Sequence, residues 1–344
     1  MARQAAAPAE VRRVVLFDED DPLALACGRT LAPVEVAYAT YGTLDADGAN
    51  AVFVCHALTG DARASGPGGW WTTMVGPGRP IDTDRFFVIC PNLLGGCQGT
   101  TGPSSLDFPP LAIADLVAVH RRLLAHLGIE RLAVAIGGSL GGMQVLQWLI
   151  DAPGEVERAV MVCASPRLSA QNLALSHVAR RAILDDPVAG MATARRLAHI
   201  TYLSERGMAE KFTRAEPEGW ARVADAETWL APAYDVETYL EHQAAVFLER
   251  FDPYSYLYLT RVMDAFDPFG GPQAPRLDPS TRALVVSFDS DWRFGTEHSR
   301  ALAAGLRAGG LTEVAEHVVA SPWGHDSFLL DVPEYLELVR AFVS

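Results

Sequence analysis

The sequence predicts an α/β protein with a mostly parallel central sheet, interrupted by an inserted helical lid. Three observations predict it. Short, continuously apolar runs at residues 51–55, 132–136, 159–163 and 283–288 have the composition of strands buried on both faces. Helical spacing alternates with them, most clearly at 111–127, where Leu111, Ile113, Leu116, Val117, His120, Leu123, Leu124 and Leu127 share one broad face. From about residue 166 to 275 the strand signal stops and helical segments take over, at 172–184, 190–199, 209–212 and 236–247. Strands that alternate with helices pair in parallel. The chain therefore divides into an α/β core over 11–165 and 276–344, and a lid over 166–275.

In chain order, residues 1–10 read as a disordered lead. Strands follow at 14–17 and 34–41, the second alternating well enough for an antiparallel pair, then at 51–55 and 86–90. A loop rich in glycine and tryptophan separates the last two, and a long turn-rich loop runs from Asn92 to Pro103. Gly128 closes the helix over 111–127. After the lid come the strand at 283–288, a helix near 299–306, a strand at 316–320 and a last helix near 333–342.

A net charge of −14, with no run of Lys or Arg, argues against nucleic acid or an anionic membrane surface as a partner. The cations are nearly all arginine, Lys211 being the single lysine. Five cysteines without C-x-x-C spacing suggest buried thiols in a reducing compartment, not a disulfide frame or a zinc site. The N-terminus has no apolar core followed by a cleavage site, so the expectation is a cytoplasmic protein that holds no metal.

The chemistry centres on residues 132–150. An apolar strand runs into Gly137-Gly138-Ser139-Leu140-Gly141-Gly142 and then into an apolar helix. Strand, tight turn and helix are the context that gives a G-x-S-x-G match its meaning as a nucleophile elbow. Amide groups at the helix start point at negative charge that develops beside Ser139. A serine hydroxyl needs a base and an acid that orients the base. Downstream, Asp289 and Asp291 follow a buried strand, and His325 follows the next one. Either aspartate can supply the acid on this reading. The amides of Leu58 and Leu140 are the expected oxyanion donors. His56 precedes the nucleophile, which favours orientation of its loop over a role as base.

Residues 56–62 (HALTGDA), 82–103, 137–148 (GGSLGGMQVLQW), 194–202 (ARRLAHITY), 290–292 (SDW) and 324–331 (GHDSFLLD) together resemble the homoserine O-acetyltransferase family. They stand in that family's order and span the chain from about residue 34 to its end. The resemblance implies the α/β-hydrolase fold with a helical lid, and a homodimer formed through that lid. It implies Ser139 as nucleophile, His325 as base and Asp291, in preference to Asp289, as acid. It also implies that Arg195 and Tyr202 reach in from the lid, with Arg195 on the substrate carboxylate and Asp326 on its ammonium group; Arg196 is the rival for Arg195. The sequence departs from the family pattern after Ser-Asp-Trp, where Arg293-Phe294-Gly295-Thr296 stand in place of apolar residues and prolines. That bears on the acyl donor.

The expected reaction moves acetyl from acetyl-CoA, a co-substrate and not a bound cofactor, to L-homoserine for methionine synthesis. The alternatives are a homoserine or serine O-succinyltransferase, a serine esterase or thioesterase, and a non-catalytic binding protein.

Overall fold

The computed structural model describes residues 10–215 and 223–344, so the expected disordered lead lies outside the described residues except for Glu10. Eight strands form one sheet: β1 (Arg12–Phe17), β2 (Val34–Tyr41), β3 (Ala51–Cys55), β4 (Phe87–Pro91), β5 (Leu132–Gly138), β6 (Val156–Val162), β7 (Arg282–Phe288) and β8 (Glu313–Val319). Their spatial order is β1-β2-β4-β3-β5-β6-β7-β8. Only β2 pairs antiparallel to its neighbours; every contact from β4 to β8 is parallel. The buried runs explain this. Every residue of β3 and β5 is buried, as strands covered on both faces require.

Alternate side chains of each strand enter two separate cores. Phe53 packs with Leu116 and Leu123 of α1 (Ile113–His126) and Leu146 of α2 (Leu140–Asp151). Val52, Val54 and Ile136 face the other way, against Trp71 and the helix near the C-terminus. As expected, α1 ends at Gly128, whose φ of +72° suits a residue without Cβ.

Between β6 and β7 the described chain is helical: α3 (Ala170–Asp185), α4 (Pro187–Tyr202), α5 (Glu205–Lys211), α6 (Ala226–Leu230), α7 (Asp235–Leu248) and α8 (Pro253–Asp264). Side chains of Ser169, Asp186, Ser204, Asp225 and Asp252 accept from backbone amides at the starts of α3, α4, α5, α6 and α8. α8 is a correction, because it lies outside the four helical segments expected of the lid. Pro253 sits in the first turn, where its missing N–H costs nothing, and Tyr256 is buried. α9 (Thr296–Ala308) and α10 (Pro333–Val343) complete the core, and a 3₁₀ turn over Gly324–Leu329 follows β8. None of the described helices is long and apolar enough to cross a membrane.

Candidate active site

Ser139 stands where β5 turns into α2, at φ 56° and ψ −123°, a backbone conformation that a non-glycine residue adopts only under strain. Its amide donates to the Val162 carbonyl at 2.9 Å, which ties the turn to β6. The glycines allow the strand and helix to close on each other. A Cβ at Gly137 would overlap the backbone of Gly141, and one at Gly141 would overlap the Cys55 carbonyl oxygen.

Asp291 and His325 meet across 34 residues of chain. His325 Nδ1 lies 2.7 Å from Asp291 Oδ2, and both side chains are buried. The other carboxylate oxygen, Oδ1, accepts the amides of Arg293 at 2.9 Å and Phe294 at 2.8 Å. Burial alone would raise the Asp291 carboxyl. The His325 charge and hydrogen bond and the two amides outweigh it and hold the group below its ordinary range. Asp291 is thus an anion that fixes His325 Nδ1 as the protonated nitrogen and leaves Nε2 for chemistry. Asp289 is exposed and its Oδ1 accepts the Ser321 amide at 3.0 Å, a brace for the loop that carries His325.

One narrow cavity of about 60 Å³ is lined by Ala57, Leu58, Thr59, Ser139, Tyr202, Met263, Arg293, His325, Asp326, Phe328 and Leu329. Six residues named from the sequence or the resemblance therefore share one site: Ser139, His325, Leu58, Tyr202 and Asp326 on its wall, with Asp291 behind His325. No hydrogen bond joins Ser139 to His325 among the described residues. Leu140 is buried at the first position of α2, so its amide has no partner in the helix, and neither that amide nor the Leu58 amide donates elsewhere among the described residues. A roomier hollow of about 410 Å³, lined by residues 44–49 and 128–133 and by Glu157, carries no serine, cysteine or histidine.

Arg195 stands back from the cavity wall. Its guanidinium carbon is 4.3 Å from the centre of the Phe247 ring, and its buried Nε has no partner. Its rival Arg196 forms an ion pair with Glu241 on α7. Asp326 is half-buried, and burial pushes its carboxyl up to about 6, against the opposing pull of His325, Arg195 and Lys211. The Tyr202 ring lies 6.0 Å from that of His325.

Sequence reasoning missed three features. Arg293 was noted only as a departure from pattern; it lines the cavity, donates to Thr201 Oγ1 at 2.7 Å and sits 5.8 Å from the Tyr202 ring centre. Cys163, at φ 48°, brings its sulfur into a cluster with Asp291 and His325, all ligand-type atoms lying within 4.8 Å of one another. Burial, then the Asp291 charge, raises its thiol far above the ordinary range, so it stays protonated. Gln144 and His120 form a buried polar pair behind the elbow, at 2.8 Å.

A strained serine on a strand–helix turn, with a buried imidazole–carboxylate pair across a cavity, defines a serine-centred acyl-transfer class on a doubly covered parallel sheet. A family model for the alpha/beta hydrolase fold matches residues 50–332. A homoserine O-succinyltransferase of a Nocardioides species is 52% identical over 97% of this chain and 98% of its own. A homoserine O-acetyltransferase of Rhodopseudomonas palustris is 45% identical over 96% of this chain and 90% of its own. The crystal structure of homoserine O-acetyltransferase from Bacillus anthracis superposes with a TM-score of 0.87 at 23% identity, covering 98% of each chain, which shows a shared fold. The chain belongs to the homoserine O-acyltransferases of the α/β-hydrolase fold family.

Proposed function

We propose that the protein transfers an acetyl group from acetyl-CoA to the hydroxyl of L-homoserine through an acyl-serine intermediate, as one step of methionine synthesis. Ser139 gives its proton to His325 Nε2 and forms a bond to the thioester carbon. The amides of Leu58 and Leu140 receive the oxyanion. The C–S bond breaks and CoA leaves with the proton from His325. The homoserine hydroxyl then gives its proton to His325 and takes the acetyl group, and the proton returns to Ser139.

One observation carries this reading. Beside the serine and the imidazole, the cavity presents a carboxylate, Asp326, with Arg195, which has no ion-pair partner among the described residues, near enough to favour its charged form, a pair suited to an amino-acid zwitterion. The reading includes no metal and no bound cofactor. It places the enzyme in the cytoplasm as a homodimer joined through the lid, supported by exposed Leu173, Val178, Leu184 and Val188 on α3 and α4.

The test is mass spectrometry of the intact protein after mixing with acetyl-CoA. Wild type gains an acetyl adduct and Ser139→Ala gains none; an adduct that survives on the variant moves the nucleophile elsewhere. Continued thiol release well beyond one equivalent per protein without an amino-acid acceptor would favour an esterase or thioesterase.

A second reading, succinyl transfer to homoserine or serine, is favoured by Arg293. That residue lines the cavity, its guanidinium has one hydroxyl partner among the described residues, and the zwitterion already has Arg195 and Asp326. A second carboxylate on the acyl chain would use that cation. On this reading Arg293→Leu lowers kcat/KM for succinyl-CoA about 10- to 100-fold and spares acetyl-CoA. Equal effects on the two donors would remove Arg293 from donor selection.

A further inference from the structure

Three polar side chains lie fully buried directly beneath the site, with the buried Asn92 beside His56. His120 on α1 and His56 after β3 are 1% exposed, and Gln144 on α2 is 0% exposed. None touches the cavity. Burying such groups costs free energy unless each is bonded.

Gln144 Nε2 lies 3.1 Å from the His56 carbonyl and 3.1 Å from the Leu140 carbonyl. Two acceptors fix that atom as nitrogen. Oε1 therefore faces His120 Nε2 at 2.8 Å, and the imidazole must donate there. His120 Nδ1 has no partner, and burial holds the ring neutral, its pKa pushed down to about 4. His56 is fixed as strictly. Its Nε2 accepts the Leu93 amide at 3.1 Å, so Nδ1 carries the proton and donates to the Ala57 carbonyl at 2.7 Å. Gly60 donates to the same carbonyl at 3.0 Å.

Peptide geometry turns these bonds into a device. The Ala57 carbonyl and the Leu58 N–H belong to one trans peptide and point in opposite directions. Gripping the carbonyl from the core side aims the Leu58 N–H toward the cavity. The single amide of Gln144 also ties the backbone at His56, two residues from one proposed oxyanion donor, to Leu140, which is the other. We propose that His120, Gln144 and His56 are positioning residues that set the spacing and aim of the two amides that receive the oxyanion. The inference rests on the reading of Ser139 as nucleophile and of those amides as its oxyanion donors.

The experiment measures the rate of Ser139 acylation by acetyl-CoA, as thiol release normalised to protein that acquires the adduct. It also measures affinity for a trifluoromethyl ketone, which forms an oxyanion on serine. Gln144→Leu lowers the acylation rate about 10- to 100-fold and weakens the ketone by a similar factor. His120→Leu acts in the same direction, and His120→Gln restores most of the rate, because a glutamine amide can donate from the Nε2 position. His56→Asn, which keeps a donor at the Nδ1 position, likewise exceeds His56→Leu.

If Gln144→Leu does not fold, the two histidine pairs decide. Wild-type acylation rates in Gln144→Leu or, for both histidines, equal rates in the conservative and apolar variants overturn the inference. A wild-type protein with no adduct on Ser139 overturns instead the reading on which it rests.

Discussion

Asp326 is a carboxyl group held at about 6 by burial, in a cavity whose proposed guest supplies an ammonium group. Below pH 6 the group is neutral and cannot pair with that ammonium. The homoserine kcat/KM should therefore fall as pH drops through about 6, beyond any fall in the acylation half-reaction. Asp326→Asn should flatten that extra limb and lower homoserine kcat/KM by about 100-fold while leaving acylation by acetyl-CoA nearly intact. The same substitution should stabilise the fold. A folded pKa raised above the unfolded value means that the native state holds the proton more tightly, so ionisation above pH 6 works against folding. After allowance for partial exposure, the gain is on the order of 2 kcal/mol at pH 8 and vanishes near pH 4. Thermal melts at the two pH values check it: equal shifts at both would mean that the charge is not the cause. At this scale the sequence could name Asp326 only by resemblance. It could not separate Arg195 from Arg196, adjacent on one helix. The choice lies in Glu241, which takes Arg196 Nη2 from 45 residues away, whereas the Arg195 guanidinium has no ion-pair partner among the described residues.

Among the elements, the elbow tolerates the least change. A Cβ at Gly141 would overlap the Cys55 carbonyl oxygen, which is backbone and cannot swing aside. Gly141→Ala must push α2 away from the loop after β3, and those two segments carry the proposed oxyanion donors. The expected result is a loss of at least about 3 kcal/mol of stability and, in whatever protein folds, a loss of acylation. Denaturant unfolding and thiol release check both; a folded variant with wild-type acylation would mean that the close approach is dispensable. The elbow was legible because four glycines and an apolar strand and helix leave few other structures. The buried strands were legible for the same reason, each being a short run that only a doubly covered sheet accommodates. α8 was not, since Pro253 and three tyrosines imitate turn composition while Asp252 caps a helix. The ties between lid and site were also invisible. The Trp292 indole donates to the Leu203 carbonyl at 3.0 Å, and Ser204 Oγ donates to the Pro322 carbonyl. These bonds fasten the α4–α5 corner to the loops that carry Asp291 and His325, and nothing in the local sequence encodes them.

Over the whole molecule, the charge balance and the cavity pull in opposite directions. The chain carries −14, and acyl-CoA is itself a polyanion. Yet Arg293 lines the cavity, and Arg195 and Arg250 lie close behind, with Arg250 donating to the Thr59 carbonyl on the wall. Screening separates the two fields by range. At 0.01 M salt the Debye length is about 30 Å, so an approaching thioester feels the whole negative surface. At 0.15 M it is about 8 Å, and only the arginines near the cavity still act. At 1 M it is about 3 Å, and their attraction fades as well. The kcat/KM for acyl-CoA should therefore rise a few-fold from 0.01 to 0.15 M salt and fall again toward 1 M. Homoserine is a net-neutral zwitterion, so its kcat/KM should change much less over the first interval and serves as the internal control. Initial rates of thiol release across a salt series decide the matter. A monotonic fall from the lowest salt would mean that the local arginines dominate at every range and that the surplus of surface carboxylates has no bearing on how the donor arrives.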